Sequence, residues 1–300
     1  MNTVYLGTSE FAAAVLRRLA ASPHRPRLVV TPPDRPRGRG RKTSSPPAAE
    51  AARELGVELL QVADVNAEAA LARVRAVQPD AVAVCAFGQL IREPLLSELP
   101  MLNVHPSLLP RWRGAAPIER AIMAGDARTG ISIMRVTAGL DSGPVAIREE
   151  TPIGPEDDFG TLSARLSALG GEMLAGALDR QAEGALEFSE QDDAEATYAE
   201  KIDPGERRLD PARPAADLAR TVRALTPHIG AYLETSGARL GVRRARPVDV
   251  GVKAGKLRAE WGALLLGCGR GALRLDVVQP PGGKPMAADA YLRGHPVPKL

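Results

Sequence analysis

The feature that most constrains the fold is an alternation of short apolar, β-rich runs with stretches of helical periodicity over roughly the first 180 residues. The chain opens with a strand-like run at 2–7, a Gly-Thr-Ser-Glu turn and a helix-period stretch at 11–21, which is typical of a βαβ unit. A fully apolar run at 81–85 indicates a strand buried on both faces. The pattern predicts an α/β domain with a Rossmann-like, doubly wound, mostly parallel sheet.

Further short elements continue this pattern, which changes character near residue 181. The sequence predicts strands at 28–31, 58–61, 101–104, 131–136 and 143–149, and helices at 50–55, 67–77, 116–124 and 158–181. Beyond a segment rich in Glu, Asp, Ala and Pro, it predicts a helix at 215–224 and strands at 231–234, 240–245, 257–261, 263–268 and 272–280. Glycines separate these strands at a spacing typical of a small β-barrel. We therefore expect an α/β domain at 1–185, a linker at 186–206 and a β-barrel domain at 207–300.

Charge is divided unevenly along the chain. Residues 207–300 hold 17 Lys and Arg against 7 Asp and Glu, whereas residues 1–206 hold 22 against 29. A basic appendage on an acidic domain is typical of a protein that binds a polyanion, although unequal surface charge also arises without such a ligand.

The chain offers neither a disulfide framework nor a histidine-rich metal site. Cys85 and Cys268 are far apart in sequence, and no two of the four histidines are close together. No apolar run approaches the length of a membrane span, and no basic segment followed by an apolar run is visible at the start. We therefore expect a protein of the reducing cytoplasm.

The densest signal of chemistry lies at 102–114, LNVHPSLLPRWRG. Asn103 and His105 are two residues apart on a predicted strand and therefore share one face of the sheet. Pro106 ends that strand, and open α/β sheets bind ligands at strand ends. An amide and an imidazole on one face can polarise a carbonyl and move a proton, whereas a single histidine after a strand is also commonly structural.

A second signal lies at 136–145, VTAGLDSGPV, where Asp141 is held between two glycines. An aspartate in such a turn usually caps backbone amides. If Asp141 faces His105 instead, the two form the carboxylate–imidazole pair of many acid–base sites. The spacing leaves open whether they meet.

These segments resemble the folate-dependent formyltransferases, in particular the branch of the family that acts on methionyl-tRNA. The resemblance is carried by GTSEFA at 7–12, PDRP at 33–36, NVHPSLLP at 103–110, RGAAPI at 113–118, TG at 129–130, GLDSGP at 139–144 and TYAEKI at 197–202. It is dense to about residue 205 and thinner beyond. One departure is at 225–231, LTPHIGA, where His228 and Ile229 replace the aromatic residue that the family usually has between two prolines.

The resemblance implies transfer of the formyl group of 10-formyltetrahydrofolate, with no metal, to the α-amine of initiator methionyl-tRNA. It also implies that 1–185 is the catalytic domain and that 207–300 is a tRNA-binding barrel of the oligonucleotide-binding type, in a monomeric protein. The expected catalytic residues are Asn103, His105 and Asp141. The expected folate pocket consists of Ser107, Leu108, Leu109 and Pro110 with Phe87, Gly88, Gln89 and Leu90, although the second group is also consistent with a plain glycine turn.

A basic loop at 32–47 carries the expected tRNA contacts, Arg35, Arg37, Arg39, Arg41 and Lys42. Its like charges and glycines predict mobility until the acceptor end of the tRNA binds. By resemblance, Arg39 stands at the position of the family's key tRNA-reading arginine.

Two other interpretations remain open. A formyltransferase with a small acceptor, such as a nucleotide-sugar amine, would share the residues around 103–110 and Asp141, as glycinamide ribonucleotide formyltransferase does. A nucleic-acid-binding protein with an inactive Rossmann-like domain is the other. The basic loop and the extra domain argue against a small acceptor. The presence of Asn103, His105 and Asp141 together argues against an inactive domain. A dinucleotide oxidoreductase is a weaker interpretation, because the Gly7–Glu10 turn lacks the G-x-G-x-x-G pattern.

Overall fold

The computed structural model describes residues 1–37, 42–260 and 262–300. Within them the chain divides into two compact units. The first unit comprises 1–114, 129–151 and 163–198, and the second comprises 115–128, 152–162 and 199–300. Each unit therefore contains segments that are distant in sequence.

The elements up to residue 199 follow the predicted alternation. The strands are β1 (Thr3–Gly7), β2 (Pro26–Thr31), β3 (Arg35–Arg37), β4 (Lys42–Ser44), β5 (Glu58–Gln61), β6 (Ala81–Cys85), β7 (Met101–His105), β8 (Arg113–Gly114), β9 (Arg128–Arg135), β10 (Val145–Pro152) and β11 (Tyr198–Ala199). The helices are α1 (Glu10–Ala20), α2 (Pro47–Leu55), α3 (Glu68–Ala76), α4 (Leu95–Glu98), α5 (Pro117–Ala124) and α6 (Phe159–Ala182).

The main sheet of the described residues has seven strands in the order β10-β9-β7-β6-β1-β2-β5. The pairs β1–β2, β2–β5, β1–β6 and β6–β7 are parallel, and β9 runs antiparallel to β7. The chain goes from β1 outward to β5 and then returns to β6 on the other side of β1. The carboxyl ends of β1 and β6 therefore form the topological switch point, where doubly wound sheets bind ligands.

Helices cover the sheet because its central strands are apolar throughout. All five residues of β1 and of β6 are buried. On one face, alternate residues of the strands pack with α3 and α4 in a core that includes Val4, Leu28, Val82, Leu71 and Leu95. The Gly-Thr-Ser-Glu turn serves as a helix N-cap, since Ser9 Oγ accepts from the Ala12 N–H at 3.2 Å.

The elements after residue 207 are α7 (Ala215–Leu225), β12 (Ala231–Thr235), β13 (Ala238–Val248), β14 (Leu257–Glu260), β15 (Ala263–Gly267), β16 (Ala272–Gln279), β17 (Met286–Ala287) and α8 (Ala288–Gly294). The strands pair antiparallel in the order β12-β13-β16-β15-β14, with β17 also beside β16. Their inner residues form one core with α7 and α8 that includes Leu218, Val222, Leu264 and Tyr291.

The predicted fold class, a mostly parallel Rossmann-like sheet followed by antiparallel β-structure, is confirmed. The elements that the sequence did not predict are β3, β4, β8, β11 and β17 and the short helices α4 and α8. Most of these have two to four residues, too few to display a period. Among the described residues, no helix is long and apolar enough to cross a membrane.

Candidate active site

The end of β7 presents the amide of Asn103 to the site. Asn103 pairs with Val84 of β6 on one side and with Met134 of β9 on the other, which fixes its backbone. Its side chain is half-buried, and it has no hydrogen-bond partner among residues 1–37, 42–260 and 262–300. The amide is therefore available to a ligand.

His105, two residues further along β7, has a buried ring whose side chain is 5% exposed. Its Nε2 lies 2.9 Å from the backbone oxygen of Trp112. Because a carbonyl oxygen can only accept, Nε2 carries a hydrogen and donates it. The other ring nitrogen, Nδ1, lies 3.6 Å from Oδ2 of Asp141. The proton that His105 gains or loses is therefore the one on Nδ1, beside a carboxylate.

Asp141 adopts a left-handed backbone conformation, with φ of +46°. Its Oδ2 accepts a hydrogen bond of 2.9 Å from the Gly114 N–H, so it caps a backbone amide as well as facing His105. The structure thus brings Asp141 to His105, two residues that the sequence placed in separate segments. This proximity is what the spacing left open.

The side chains of Ser107, Ser132 and Arg148 hold the Ser107–Pro110 turn in place. Ser107 Oγ donates to the Arg111 carbonyl at 2.6 Å. Ser132 Oγ donates to the Ser107 carbonyl at 2.7 Å and accepts from the Leu109 N–H at 3.1 Å. Arg148 Nε donates to the Leu109 carbonyl at 2.8 Å. Leu109 is buried, whereas Leu108 and Pro110 remain partly exposed.

Leu108 packs directly over β9 because residue 130 is glycine. A Cβ on Gly130 would lie 2.6 Å from Leu108 Cδ2 and 2.1 Å from the Glu149 carbonyl oxygen. A larger residue at 130 would therefore displace the turn.

The Phe87–Leu90 segment lies at the switch point between β1 and β6. Thr8 Oγ1, just after β1, donates to the Phe87 carbonyl at 2.6 Å. Gly88 has φ of +77° and open space where a side chain would be, while Leu90 is 62% exposed. Gln89 has a structural role, since its amide bridges Val62 and Val65 on the backbone at 3.0 and 2.8 Å.

The basic loop differs from the predicted irregular segment, because its arms β3 and β4 pair as an antiparallel ribbon. Arg35 lies opposite Ser44 and is exposed, and position 37 lies opposite position 42. Arg39 and Arg41, two of the expected tRNA contacts, lie outside the described residues. For Arg37 and Lys42 the structure describes the backbone register only.

Three groups at the site were missed by sequence reasoning: the Trp112 carbonyl, the Gly114 N–H and the side chain of Gln191. The Gln191 amide donates to the backbone oxygens of Asp141 and Gly143 at 2.9 and 2.7 Å. The sequence holds no signal for backbone partners, and Gln191 lies in a polar segment that was predicted to be a linker. The centroid of the Trp112 ring lies 4.4 Å from the Arg111 guanidinium carbon.

The second unit carries a separate basic groove of about 780 Å³. It is lined by Arg220, Arg223, Arg243, Arg244 and Arg246, together with acidic residues that include Asp158 and Asp276. Burial lowers the pKa of the Arg223 guanidinium, which donates to the Asp157 carbonyl at 2.6 Å. No cluster of three or more potential metal ligands occurs among the residues that the structure describes.

Comparisons with known proteins match both parts of the chain to formyltransferases. The family model described as formyl transferase matches residues 1–178, and that described as the formyl transferase C-terminal domain matches 201–296. A methionyl-tRNA formyltransferase of Pseudomonas paraeruginosa is 44% identical over 97% of this chain and 95% of its own length. That of Ectopseudomonas mendocina is 43% identical over 97% of this chain and 94% of its own. A solved N-formyltransferase from Helicobacter canadensis, in complex with folinic acid and dTDP-3-aminofucose, has a TM-score of 0.68 at 12% identity, covering 92% of this chain and 98% of that one.

Proposed function

Because the chain belongs to the formyl transferase family, we propose that it transfers the formyl group of 10-formyltetrahydrofolate to the α-amino group of methionyl-tRNA. The product is N-formylmethionyl-tRNA, which serves translation initiation. The observation that carries the proposal is the approach of the Asp141 carboxylate to His105 Nδ1, at the end of the strand that also carries Asn103. The acceptor is inferred from full-length identities above 40% to relatives named for it.

The residues around this site suit a reduced folate. A flat pteridine ring needs apolar surface and a few hydrogen-bonding groups. Leu90 and Leu140 are large apolar side chains that are 62% and 64% exposed, the first in the expected folate segment and the second next to Asp141. The unpartnered Asn103 amide supplies a polar group of the proposed site. When bound, 10-formyltetrahydrofolate supplies an electrophilic formyl carbon on N10.

Asn103 and His105 act on the negative charge that develops on the formyl oxygen. The Asn103 amide N–H donates to that oxygen without losing an existing partner. The Trp112 carbonyl holds the His105 ring so that Nδ1 remains for the reacting groups. With a proton on Nδ1, His105 stabilises the same charge and can protonate the departing nitrogen.

Asp141 accepts the proton that the attacking amine loses. Its carboxylate is held by the Gly114 N–H and lies 3.6 Å from His105 Nδ1, so both groups can reach the same reacting centre. The same carboxylate faces His105 Nδ1, so one group serves as proton acceptor and as the partner that orients the imidazole.

The acceptor would be bound by arginine-rich surfaces that do not include this trio. Arginines bind phosphates through planar, bidentate contacts, and the groove of the second unit is lined by Arg220, Arg223, Arg243, Arg244 and Arg246. The ribbon that carries Arg35 offers a second basic surface. A small nucleotide-sugar acceptor, as named for the Helicobacter canadensis structure, is the weaker candidate because that likeness is only 12% identical.

We extend the proposal to initiator methionyl-tRNA as the acceptor, a monomeric state and a cytoplasmic location. Sedimentation velocity at micromolar concentration would give one species of about 31.7 kDa. A stable dimer peak would contradict the monomer.

The direct test supplies the protein with radiolabelled 10-formyltetrahydrofolate and one acceptor at a time. We expect formyl to appear on initiator methionyl-tRNA, with much slower transfer to elongator methionyl-tRNA. An amino-sugar nucleotide is the matched small acceptor. Transfer to the sugar but not to the tRNA would overturn the proposed acceptor, and transfer to neither would overturn the proposed reaction.

A further inference from the structure

We propose that Gln191 is a positioning residue for formyl transfer. Its side-chain amide fixes the Asp141 turn against the 112–114 segment, and so sets the separation of the Asp141 carboxylate from His105. The inference rests on the proposed function, because it takes Asp141 and His105 as the acid–base pair of that reaction.

All the polar atoms of the Gln191 side chain are engaged in this junction. Nε2 donates one hydrogen to the Asp141 carbonyl at 2.9 Å and the other to the Gly143 carbonyl at 2.7 Å. Oε1 accepts from Arg113 Nε at 3.1 Å. The opposite amide orientation would place Oε1 against two carbonyl oxygens and Nε2 against an N–H donor, so the contacts define the orientation.

The two hydrogen bonds from Gln191 Nε2 hold the Asp141 turn in an uncommon backbone conformation. Asp141 has φ of +46°, a region that non-glycine residues rarely occupy. Gly143 is tightly enclosed, since a Cβ there would lie 2.0 Å from the Arg135 carbonyl oxygen. By binding the carbonyls on both sides of Ser142, Gln191 fixes where the Asp141 side chain points.

The third contact, between Arg113 and Gln191, holds the 112–114 segment, which orients His105. Arg113 is buried, and besides Gln191 its guanidinium binds Asp193 at 2.8 Å. Its neighbours in sequence are Trp112, whose carbonyl accepts from His105 Nε2, and Gly114, whose N–H donates to Asp141 Oδ2. One glutamine therefore joins the two segments that orient the imidazole and the carboxylate.

Two variants remove the side-chain hydrogen bonds of Gln191 in different ways. Gln191→Met keeps a long unbranched side chain without hydrogen bonds. Gln191→Glu keeps an acceptor for Arg113 but turns a carboxylate toward two carbonyl oxygens, so it tests the same contacts should the Met variant fold poorly. For both we expect kcat to fall by about 10- to 100-fold, because a displaced acid–base group loses its alignment. KM for folate and for tRNA should stay within about threefold, since the polar atoms of Gln191 are all engaged by other groups of the protein.

The second readout needs no substrate. The ring nitrogen chemical shifts of His105, assigned by comparison with His105→Gln, report its tautomer and the carboxylate near Nδ1. Both Gln191 variants should change these shifts at fixed pH.

Gln61→Met is the matched control, because the Gln61 amide also donates to a backbone carbonyl and to a second oxygen and accepts from an arginine. It should leave the His105 shifts unchanged, because the Gln61 contacts hold the start of the 32–47 loop and not the Asp141 turn.

The outcomes separate this inference from the proposed function. Unchanged His105 shifts with kcat within about twofold of wild type would overturn the positioning role, as would an effect confined to KM. If the wild-type chain does not formylate methionyl-tRNA but the Gln191 variants still alter the His105 shifts, the proposed function fails and the positioning role stands.

Discussion

At the residue scale, the site combines a side-chain amide without a hydrogen-bond partner in the described chain, that of Asn103, with two side chains that backbone groups hold in place, His105 and Asp141. A group whose partner is missing from the folded protein contributes little to stability and is therefore free to contribute to binding or catalysis. We therefore expect substitution of Asn103 to lower the rate of formyl transfer with little change in thermal stability.

We accordingly expect Asn103→Ala to melt within about 2 °C of wild type and to lower the rate of formyl transfer at least about 100-fold. Asp141→Asn should lower the rate by a similar factor while keeping the turn, since asparagine tolerates a left-handed backbone. Thermal unfolding and single-turnover transfer check both variants. Near-normal turnover in Asp141→Asn would remove the carboxylate from the mechanism.

A second prediction concerns the two cysteines, which the proposed mechanism does not use. Burial raises the pKa of Cys85 to about 12 and that of Cys268 to about 11. A raised pKa keeps the thiol protonated, so at pH 8 no more than about one thiol in a thousand is the reactive thiolate. We expect no labelling by a thiol reagent in the native protein and two labelled thiols after denaturation. Fast labelling of the native protein would contradict this.

At the element scale, His228 shows how this chain replaces an aromatic residue that its family usually has. Its ring stacks on Phe159 with centroids 3.7 Å apart, and Nε2 lies 2.9 Å from Oε1 of Glu119. The stack preserves a flat contact, and the glutamate satisfies the extra polar atom. The departure at 225–231 is therefore accommodated by local packing within the second unit.

The basic ribbon supports a prediction at the same scale. Arg39→Ala should weaken transfer to methionyl-tRNA severely and leave folate binding unchanged, because arginines of this loop are proposed to reach phosphates or exposed bases. Arg39→Lys should rescue only partly, since an ammonium lacks the planar fork. Steady-state kinetics in both substrates check this. Full activity of Arg39→Ala at physiological salt would make the loop an ordinary surface segment.

At the scale of the whole molecule, the two units are not two consecutive pieces of sequence. Helix α5 (Pro117–Ala124) belongs to the second unit, where it packs against α7 and buries Ile118 and Ile122. Met123 packs against the core of the C-terminal sheet. A cut in the linker therefore removes the partners of a helix that precedes it by about 80 residues.

A chain ending at Ile202 should consequently be less stable than the full chain, although the sequence alone suggests an intact folate site. The uncovered apolar face of α5 should raise the fluorescence of a hydrophobic dye and lower the melting temperature. Thermal unfolding and binding of a folate analogue check this. A truncated protein that melts like the full chain and binds folate normally would contradict it.

The sequence by itself determined which residues form the layers of the fold. The apolar run 81–85 indicated a strand buried on both faces and matches β6, and the helix-period stretches 11–21 and 158–181 match α1 and α6 closely. It also indicated the chemistry, because Asn103 and His105 share a strand face by geometry. Local patterns suffice for these features because each depends on neighbours in the chain.

Only the tertiary structure decided how distant segments meet. The 3.6 Å approach of Asp141 to His105, the Trp112 carbonyl that fixes the imidazole and the side-chain contacts of Gln191 join residues up to 78 positions apart. Backbone groups make several of these contacts, and every residue type carries them, so no composition or period marks them. The assignment of α5 to the second unit has the same cause, since a helix shows in its sequence that it has an apolar face but not which core will cover it.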